Sequence, residues 1–300
     1  MPAPVLRKGV YPPLPTFFDV HEELDVPTYQ QHIRNLAGTG LAGYVLMGSN
    51  GEAVHLSSDE RVKLIEAAHE VAGADALLVA GCGEQSTRAT LEHCRRAASA
   101  GADFALVLPP FYFKGRMQEQ ALLTHYRVIA DASPLPVVIY NMPASTAGLD
   151  LNAALLAKLA EHPNIVGIKD SAGDMAKLAQ LVGQVPADFA IFAGSAGYFL
   201  PALAIGAVGV VAALANVFPR QVCRLQELFQ RGELLEAQRL QSLLAPANAA
   251  VTTIYSVPGL KAALELTAGY GGPPRLPLLP LNEAERKHLA EILEEVTRLT

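Results

Sequence analysis

One lysine stands where covalent chemistry is plausible. The chain has eight lysines, and five of them lie on amphipathic helical segments whose solvent-exposed faces explain them: Lys63, Lys158, Lys177, Lys261 and Lys287. Lys8 precedes the first apolar run and Lys114 lies in a predicted loop, whereas Lys169 ends the apolar run NIVGIK. An apolar environment favours the neutral amine, which can attack a carbonyl carbon. A salt bridge with Asp170 that closes the strand end explains the position equally well.

A tyrosine ends the preceding apolar run, VVIY. At a strand end, the phenol of Tyr140 can relay a proton between a substrate and bulk water. The alternative is a core tyrosine whose hydroxyl reaches the rim, which is the commoner situation. Only its expected pairing with Lys169 on the next strand favours the catalytic interpretation.

Two glycine-containing turns are candidate anion sites. In GSNGE (Gly48–Glu52), backbone N–H groups can converge on a carboxylate, and the side chains of Ser49 and Asn50 add donors. An ordinary strand-to-helix turn is the alternative. The turn GSAG (Gly194–Gly197) is equally ambiguous, and because it has no basic neighbour we do not assign it to phosphate.

The chain contains eight short apolar runs with amphipathic segments between them, and these residues lie at or just after the ends of some of the runs. The predicted strands are Gly9–Phe17, Gly43–Met47, Leu77–Gly81, Phe104–Leu108, Val137–Tyr140, Ile165–Lys169, Ala190–Ala193 and Val208–Ala212. Predicted helices include Ser57–Ala72, Gln85–Ala100 and Met117–Ala132, the first opened by a capping box of Ser57 and Glu60. Eightfold alternation predicts an α/β fold, a (β/α)8 TIM barrel. A doubly wound open sheet is the alternative, although no GxGxxG follows the first strand.

The predicted barrel spans residues 1–232, and residues 233–300 form a helical extension packed on it. The extension is predicted to hold helices at Glu233–Leu244, Val257–Ala268 and Glu283–Leu299, the last capped by Asn282 and Glu285. In such a barrel, chemistry lies at the carboxyl ends of the strands. The polar residues expected there are Ser49, Asn50, Tyr112, Tyr140, Lys169, Ser171, Gly194 and Ser195.

Composition excludes several other functions. A net charge of -6 argues against a nucleic-acid partner. The uncharged stretch Tyr198–Phe218 has the length of a membrane span, but its glycines and proline favour a helix followed by a buried strand. No metal site is expected, because no HExxH or Cys/His cluster is present. Three cysteines without a CxxC pair, and no apolar segment of signal-peptide length near the start, are typical of a cytoplasmic protein.

Taken together, five motifs identify a resemblance. GSNGE, LPPFYFKGRM, VVIYNMP, NIVGIKDSAGD and FAGSAG, in this order, resemble the N-acetylneuraminate lyase and dihydrodipicolinate synthase family. Within it, segments such as HPNIVGIKDS are most similar to members that cleave 4-hydroxy-2-oxoglutarate. The resemblance implies a lyase that needs no cofactor, acts on a small 2-oxo acid as a class I aldolase, and assembles as a homotetramer, a dimer of dimers.

The resemblance also implies a role for individual residues. Lys169 would form the Schiff base with pyruvate-like substrates, and Tyr140 would relay protons. Ser49 would link Tyr140 to Tyr112, which would reach in from a neighbouring subunit. Ser171 and Gly194 would line the substrate pocket.

The chain departs from the synthase pattern after the fifth strand. Synthases of the family usually carry an arginine shortly after the tyrosine of this strand, and here Ser145 stands at about that place. This departure favours cleavage of 4-hydroxy-2-oxoglutarate to pyruvate and glyoxylate. The alternatives are dihydrodipicolinate synthesis, another lyase or dehydratase reaction of the family, and a non-catalytic barrel that binds an oxo acid.

Overall fold

The chain folds into a ring of parallel strands surrounded by helices. The computed structural model describes residues 5–299. Its eight strands are β1 (Gly9–Tyr11), β2 (Gly43–Leu46), β3 (Leu77–Gly81), β4 (Phe104–Val107), β5 (Val137–Asn141), β6 (Ile165–Asp170), β7 (Ala190–Ala193) and β8 (Gly209–Val211). They pair in parallel in the order β1-β8-β7-β6-β5-β4-β3-β2. Most strand residues are buried, as expected for a sheet covered on both faces.

The ring closes between β1 and β2 through backbone just beyond β1. An isolated parallel bridge joins Pro13 to Val45. Leu14 N–H donates to Val45 O at 2.9 Å, and Val45 N–H donates to Pro12 O at 3.0 Å. The sheet is therefore a barrel, and the doubly wound open sheet is excluded.

Strand β1 is shorter than predicted. The sequence predicts Gly9–Phe17, but β1 ends at Tyr11. Prolines at 12, 13 and 15 have no N–H group, so regular ladder pairing cannot continue through them. The other predicted strands are at the expected places, with ends that differ by at most one residue.

Helices cover the outside of the ring. They are α1 (Val26–Leu36), α2 (Ser58–Val71), α3 (Thr87–Ser99), α4 (Glu119–Ala132), α5 (Ala153–Ala160), α6 (Met175–Val182), α7 (Phe199–Ile205) and α8 (Pro219–Gln230). The predicted capping box of α2 is confirmed, because Glu60 N–H donates to Ser57 Oγ at 3.2 Å and Ser57 N–H donates to Glu60 Oε2 at 2.7 Å.

Three more helices follow: α9 (Leu234–Ala249), α10 (Ser256–Ala268) and α11 (Glu283–Leu299). The predicted end of α9 at Leu244 is wrong, since the helix continues through Pro246 and a π-helical turn follows at Ala250–Ile254. The predicted cap of α11 is confirmed by reciprocal bonds between Asn282 and Glu285 at 2.9 and 3.0 Å. Residues of α8, α9, α10 and α11 share one buried apolar cluster.

The uncharged stretch from residue 198 to 218 folds as predicted, with α7 followed by the buried strand β8. Within residues 5–299, no helix combines the length and the apolar character needed to cross a bilayer.

Candidate active site

Lys169 and Tyr140 meet at the carboxyl ends of β5 and β6. The two residues are register partners in the parallel pair. Each is 3% exposed, and Lys169 Nζ lies 3.9 Å from the centroid of the Tyr140 ring. The ring face is electron-rich and attracts an ammonium group placed over it, which holds the Lys169 side chain against Tyr140.

Asp170 does not form a salt bridge with Lys169. The Asp170 carboxylate pairs with Lys177 Nζ at 2.9 Å and accepts from Asn141 Nδ2 at 2.8 Å. Within the described part of the chain, no carboxylate oxygen lies within 4.0 Å of Lys169 Nζ. The salt-bridge interpretation of Lys169 is therefore wrong, because successive strand residues face opposite sides of the sheet.

Lys177 and Lys261 are likewise not the solvated lysines that the helical pattern predicts. They are 7% and 1% exposed, respectively, and both are paired with buried carboxylates. The periodicity places both lysines on helices correctly, but it does not reveal the acids that face them from distant segments. Lys158, by contrast, is exposed as predicted.

Two side chains of residues 5–299 lie within hydrogen-bond distance of Tyr140 Oη. Ser49 Oγ is 3.3 Å away, and the hydroxyl donates to Met142 Sδ at 2.6 Å. Ser49 also donates to the same sulfur at 3.4 Å. Since a thioether is a weak acceptor, the phenol is free to exchange its proton with Ser49 or with a substrate oxygen. Met142 was not predicted from the sequence as a site residue, although it lies only two residues beyond Tyr140.

The GSNGE turn follows β2 and is fixed by backbone contacts. Glu52 N–H donates to Ser49 O at 3.1 Å, and Thr16 donates to Gly51 O at 2.6 Å. A Cβ on Gly51 would lie 2.9 Å from Leu14 O, so a larger residue would displace the turn. Asn50 Nδ2 is buried and has no hydrogen-bond partner among residues 5–299. An orphaned amide donor at this turn suits a carboxylate.

The ends of β6 and β7 also meet. Gly194 N–H donates to Asp170 O at 2.7 Å, and a Cβ on Gly194 would lie 1.9 Å from Ser171 Oγ. Ser171 Oγ is buried and unpartnered within the described residues. Ser195 Oγ accepts from Asn248 Nδ2 at 2.9 Å. Asn248, on α9, was not predicted, because nothing in its sequence context links it to the barrel.

A cavity of about 790 Å³ opens beside the GSNGE turn. Of the residues predicted from sequence, four line it: Ser49, Tyr112, Tyr140 and Ser145. Lys169 instead lines a small void of about 10 Å³ inside the barrel. Tyr140 therefore contacts Lys169 and also contributes to the wall of the large cavity. Tyr112 is 77% exposed and packs edge-to-face against Phe113.

A polar network outside the barrel ties the ends of β5 and β6 together. Asn141 Nδ2 donates to Asp150 Oδ1 at 2.6 Å and to Asp170 Oδ2 at 2.8 Å. Lys177 Nζ bridges the same two carboxylates, at 2.7 and 2.9 Å. The network fixes the strands that carry Tyr140 and Lys169, and it joins them to the loop after β5.

A second network joins the GSNGE turn to the C-terminal helices. Glu52 is 2% exposed, has a left-handed backbone with φ 53°, and pairs with Lys261 Nζ at 2.8 Å. It also accepts from Arg275 N–H at 3.0 Å. Burial lowers the pKa of Lys261, and the Glu52 charge partly offsets this effect. The turn that carries Ser49 and Asn50 is thus held by the last third of the chain.

Replacing Lys261 by methionine is expected to destabilise the fold by about 3–5 kcal/mol, because Glu52 would remain buried without its partner. Urea unfolding of the two proteins measures the difference. The double variant Glu52→Gln/Lys261→Met is expected to lose less unfolding free energy than the single variant, because it also removes the unpaired buried charge. A single variant within about 1 kcal/mol of the unmodified protein contradicts this account of the pair.

The chain matches known proteins over nearly its whole length. Residues 6–296 match the model of the dihydrodipicolinate synthetase family. The chain is 42% identical to a probable mitochondrial 4-hydroxy-2-oxoglutarate aldolase of Emericella nidulans, over 98% of this chain and 96% of the relative. It is 36% identical to the L-threo-3-deoxy-hexylosonate aldolase of Hypocrea jecorina, over 100% and 99% of the two chains.

Among solved structures, a prophage protein of the dihydrodipicolinic acid synthase family from E. coli K12, determined in complex with pyruvate, superimposes with a TM-score of 0.91 at 29% identity. The match covers 98% of this chain and 99% of that one. The family match covers nearly the whole chain and confirms the resemblance that the motifs indicate. The chain belongs to the dihydrodipicolinate synthetase family.

Proposed function

We propose that this lyase is a class I aldolase that cleaves 4-hydroxy-2-oxoglutarate to pyruvate and glyoxylate. The observation that carries the proposal is Lys169, a buried amine over the Tyr140 ring with no carboxylate within 4.0 Å among the described residues. The relative from Emericella nidulans, whose name gives this activity, supports the choice of substrate.

In the proposed mechanism, Lys169 attacks the ketone of the 2-oxo acid and water leaves, which yields a protonated Schiff base. The imine withdraws electrons from the bond between carbons 3 and 4. Tyr140 takes the proton from the 4-hydroxyl as this bond breaks, so that glyoxylate departs and an enamine remains. Ser49, 3.3 Å from the phenol, accepts or returns that proton. Protonation and hydrolysis of the enamine then release pyruvate, and no cofactor takes part.

The carboxylate next to the ketone needs donors close to Lys169. Asn50 Nδ2 and Ser171 Oγ are buried, and neither has a partner within the described chain, which suits them to this role. Gly194 and Ser195 complete this part of the proposed pocket. Gly194 is required because a Cβ there would lie 2.8 Å from two backbone atoms, Asp170 O and Ser171 Cα.

The assembly that we propose is a homotetramer, built as a dimer of dimers. Tyr112 and Phe113 are 77% and 70% exposed, a large apolar surface for a single chain and one suited to a neighbouring subunit. Tyr112 would complete the partner's site. We also propose a catalytic barrel in residues 1–232, a packed extension in residues 233–300, and a cytoplasmic location, supported by three free cysteines. The name of the Emericella relative includes a mitochondrial location instead.

Two other lyase reactions compete with this proposal. The name of the Hypocrea relative favours cleavage of a six-carbon sugar acid, which uses the same lysine chemistry. Dihydrodipicolinate synthesis is the second, and a non-catalytic oxo-acid-binding barrel is the alternative without chemistry. Trapping a pyruvate adduct with borohydride separates catalysis from simple binding, and assays with several 2-oxo acids separate the reactions.

We expect kcat/KM for cleavage of 4-hydroxy-2-oxoglutarate to exceed kcat/KM for condensation of pyruvate with aspartate semialdehyde by about tenfold to a hundredfold. This is the cost of losing the bidentate contact that an arginine at position 145 would make with the carboxylate of the semialdehyde, a geometry that a lysine does not reproduce. Ser145 stands where synthases carry an arginine, and it is exposed at the cavity. The measurement is kcat/KM for both reactions on one preparation.

The variant Ser145→Arg extends this test. An arginine at 145 is expected to depress cleavage, because it would alter the cavity wall that receives the distal end of the substrate. Thr124→Arg is a matched control on the exposed face of α4. A semialdehyde reaction as fast as cleavage in the unmodified protein would replace the aldolase assignment by the synthase one.

A further inference from the structure

The proposed substrate carries a second carboxylate, and the cavity offers few cations for it. Arg61, which lines the cavity, is paired with Glu84 at 2.8 Å. Lys177 and Lys261 are buried in ion pairs outside the barrel. Lys169 is assigned to the ketone. The distal carboxylate therefore needs another positive charge near the exposed serine, Ser145.

Lys114 meets this requirement. It follows Tyr112 by two residues, and its Nζ donates to Ala147 O at 2.7 Å across the loop that holds Ser145. Both Tyr112 and Ser145 line the cavity. Lys114 does not itself line the cavity, but it joins the segment that carries Tyr112 to the loop that carries Ser145, and both of these residues do.

Two observations indicate that Lys114 is available to a ligand. It is exposed, and no carboxylate of residues 5–299 lies within 4.0 Å of its Nζ, so its charge is uncompensated. Gly148 has a φ of 74°, and a Cβ there would lie 3.2 Å from Lys114 Nζ. The glycine thus lets the ammonium lie close against the loop. A lysine side chain is long and flexible enough to move from a carbonyl to a carboxylate bound beside Ser145.

We propose that Lys114 determines specificity for 2-oxo acids that carry a second, distal carboxylate. This inference rests on the proposed function and adds the group that recognises the far end of the substrate. In the free protein, the Lys114 ammonium is held against Ala147 O. On binding, it exchanges this neutral acceptor for the anionic one, which is the stronger partner.

The test compares two substrates that are cleaved at the same bond. 4-Hydroxy-2-oxoglutarate has the distal carboxylate, whereas 4-hydroxy-2-oxopentanoate has a methyl group there and yields pyruvate and acetaldehyde. Lys114→Met is expected to lower kcat/KM for the dicarboxylate by about tenfold to a hundredfold, mainly through KM. For the monocarboxylate, a change of less than about twofold is expected, because no ionic contact is lost.

Two further variants sharpen the comparison. Lys114→Arg keeps the charge and is expected to retain most of the dicarboxylate activity. Arg116→Met removes a charge from the same loop but faces a separate cleft with Thr87 and His125, so both activities should persist. Equal losses for both substrates in Lys114→Met, or no loss for either, overturn the inference. An unmodified protein that neither cleaves the dicarboxylate nor traps pyruvate with borohydride refutes the proposed function itself.

Discussion

Lys169→Arg is expected to lose turnover by on the order of 10⁴-fold or more, as when a covalent nucleophile is removed from other enzymes. A guanidinium stays protonated and cannot form a Schiff base with a ketone, although it preserves the positive charge. In the unmodified protein, pyruvate and borohydride should add a reduced pyruvyl group to the peptide that contains Lys169. Peptide mass spectrometry locates the adduct.

Lys158→Arg is the matched control, since Lys158 is an exposed lysine of α5. It should keep both turnover and labelling. Adducts on another lysine, or none on any lysine, would remove Lys169 from the mechanism. The circular dichroism spectrum of Lys169→Arg should match that of the unmodified protein, which separates loss of chemistry from loss of fold.

Tyr140→Phe is expected to reduce kcat for cleavage by about 10²- to 10⁴-fold, the usual contribution of a positioned general acid or base. The phenyl ring keeps the packing over Lys169, but the contact with Ser49 Oγ is lost. Borohydride trapping with pyruvate should persist at a slower rate, because the amine remains in place. Steady-state cleavage and the rate of trapping are measured side by side.

Tyr44→Phe provides the control for removing a buried phenol. Tyr44 is 3% exposed in β2, and its hydroxyl donates to Ile33 O over a long distance of 3.5 Å. We expect the activity of Tyr44→Phe to remain within about twofold of that of the unmodified protein, because a hydrogen bond of that length contributes little. If Tyr140→Phe cleaves as fast as Tyr44→Phe, proton relay belongs to another group.

The fold could be predicted from sequence because its signals are local. Apolar runs such as NIVGIK are buried strands whichever partners they find, and caps such as Ser57 with Glu60 involve neighbours along the chain. The predicted ends of β1 and α9 were wrong, because a proline can either end an element or lie inside it. Proline ended β1 early at Tyr11, yet Pro246 lies inside α9.

The candidate site could be predicted only in part. The pairing of Lys169 with Tyr140 could be predicted because both lie at the ends of predicted strands that follow one another along the chain. Lys177 and Lys261 were misjudged, since a helical face looks solvated until its distant partner is known. Asn248 belongs to the same class: its contact with the loop after β7 depends on how α9 packs, which no local pattern encodes.

The contact between Glu52 and Arg275 spans 223 positions along the chain. A ribosome that adds about 5–20 residues per second makes the second partner roughly 10–45 seconds after the first. During that interval the Glu52 carboxylate has His55 as a neighbour, but Lys261 and Arg275 have not yet been synthesised. The turn after β2 therefore gains its contacts with the last third of the chain only after α10 and the segment up to Arg275 have been synthesised.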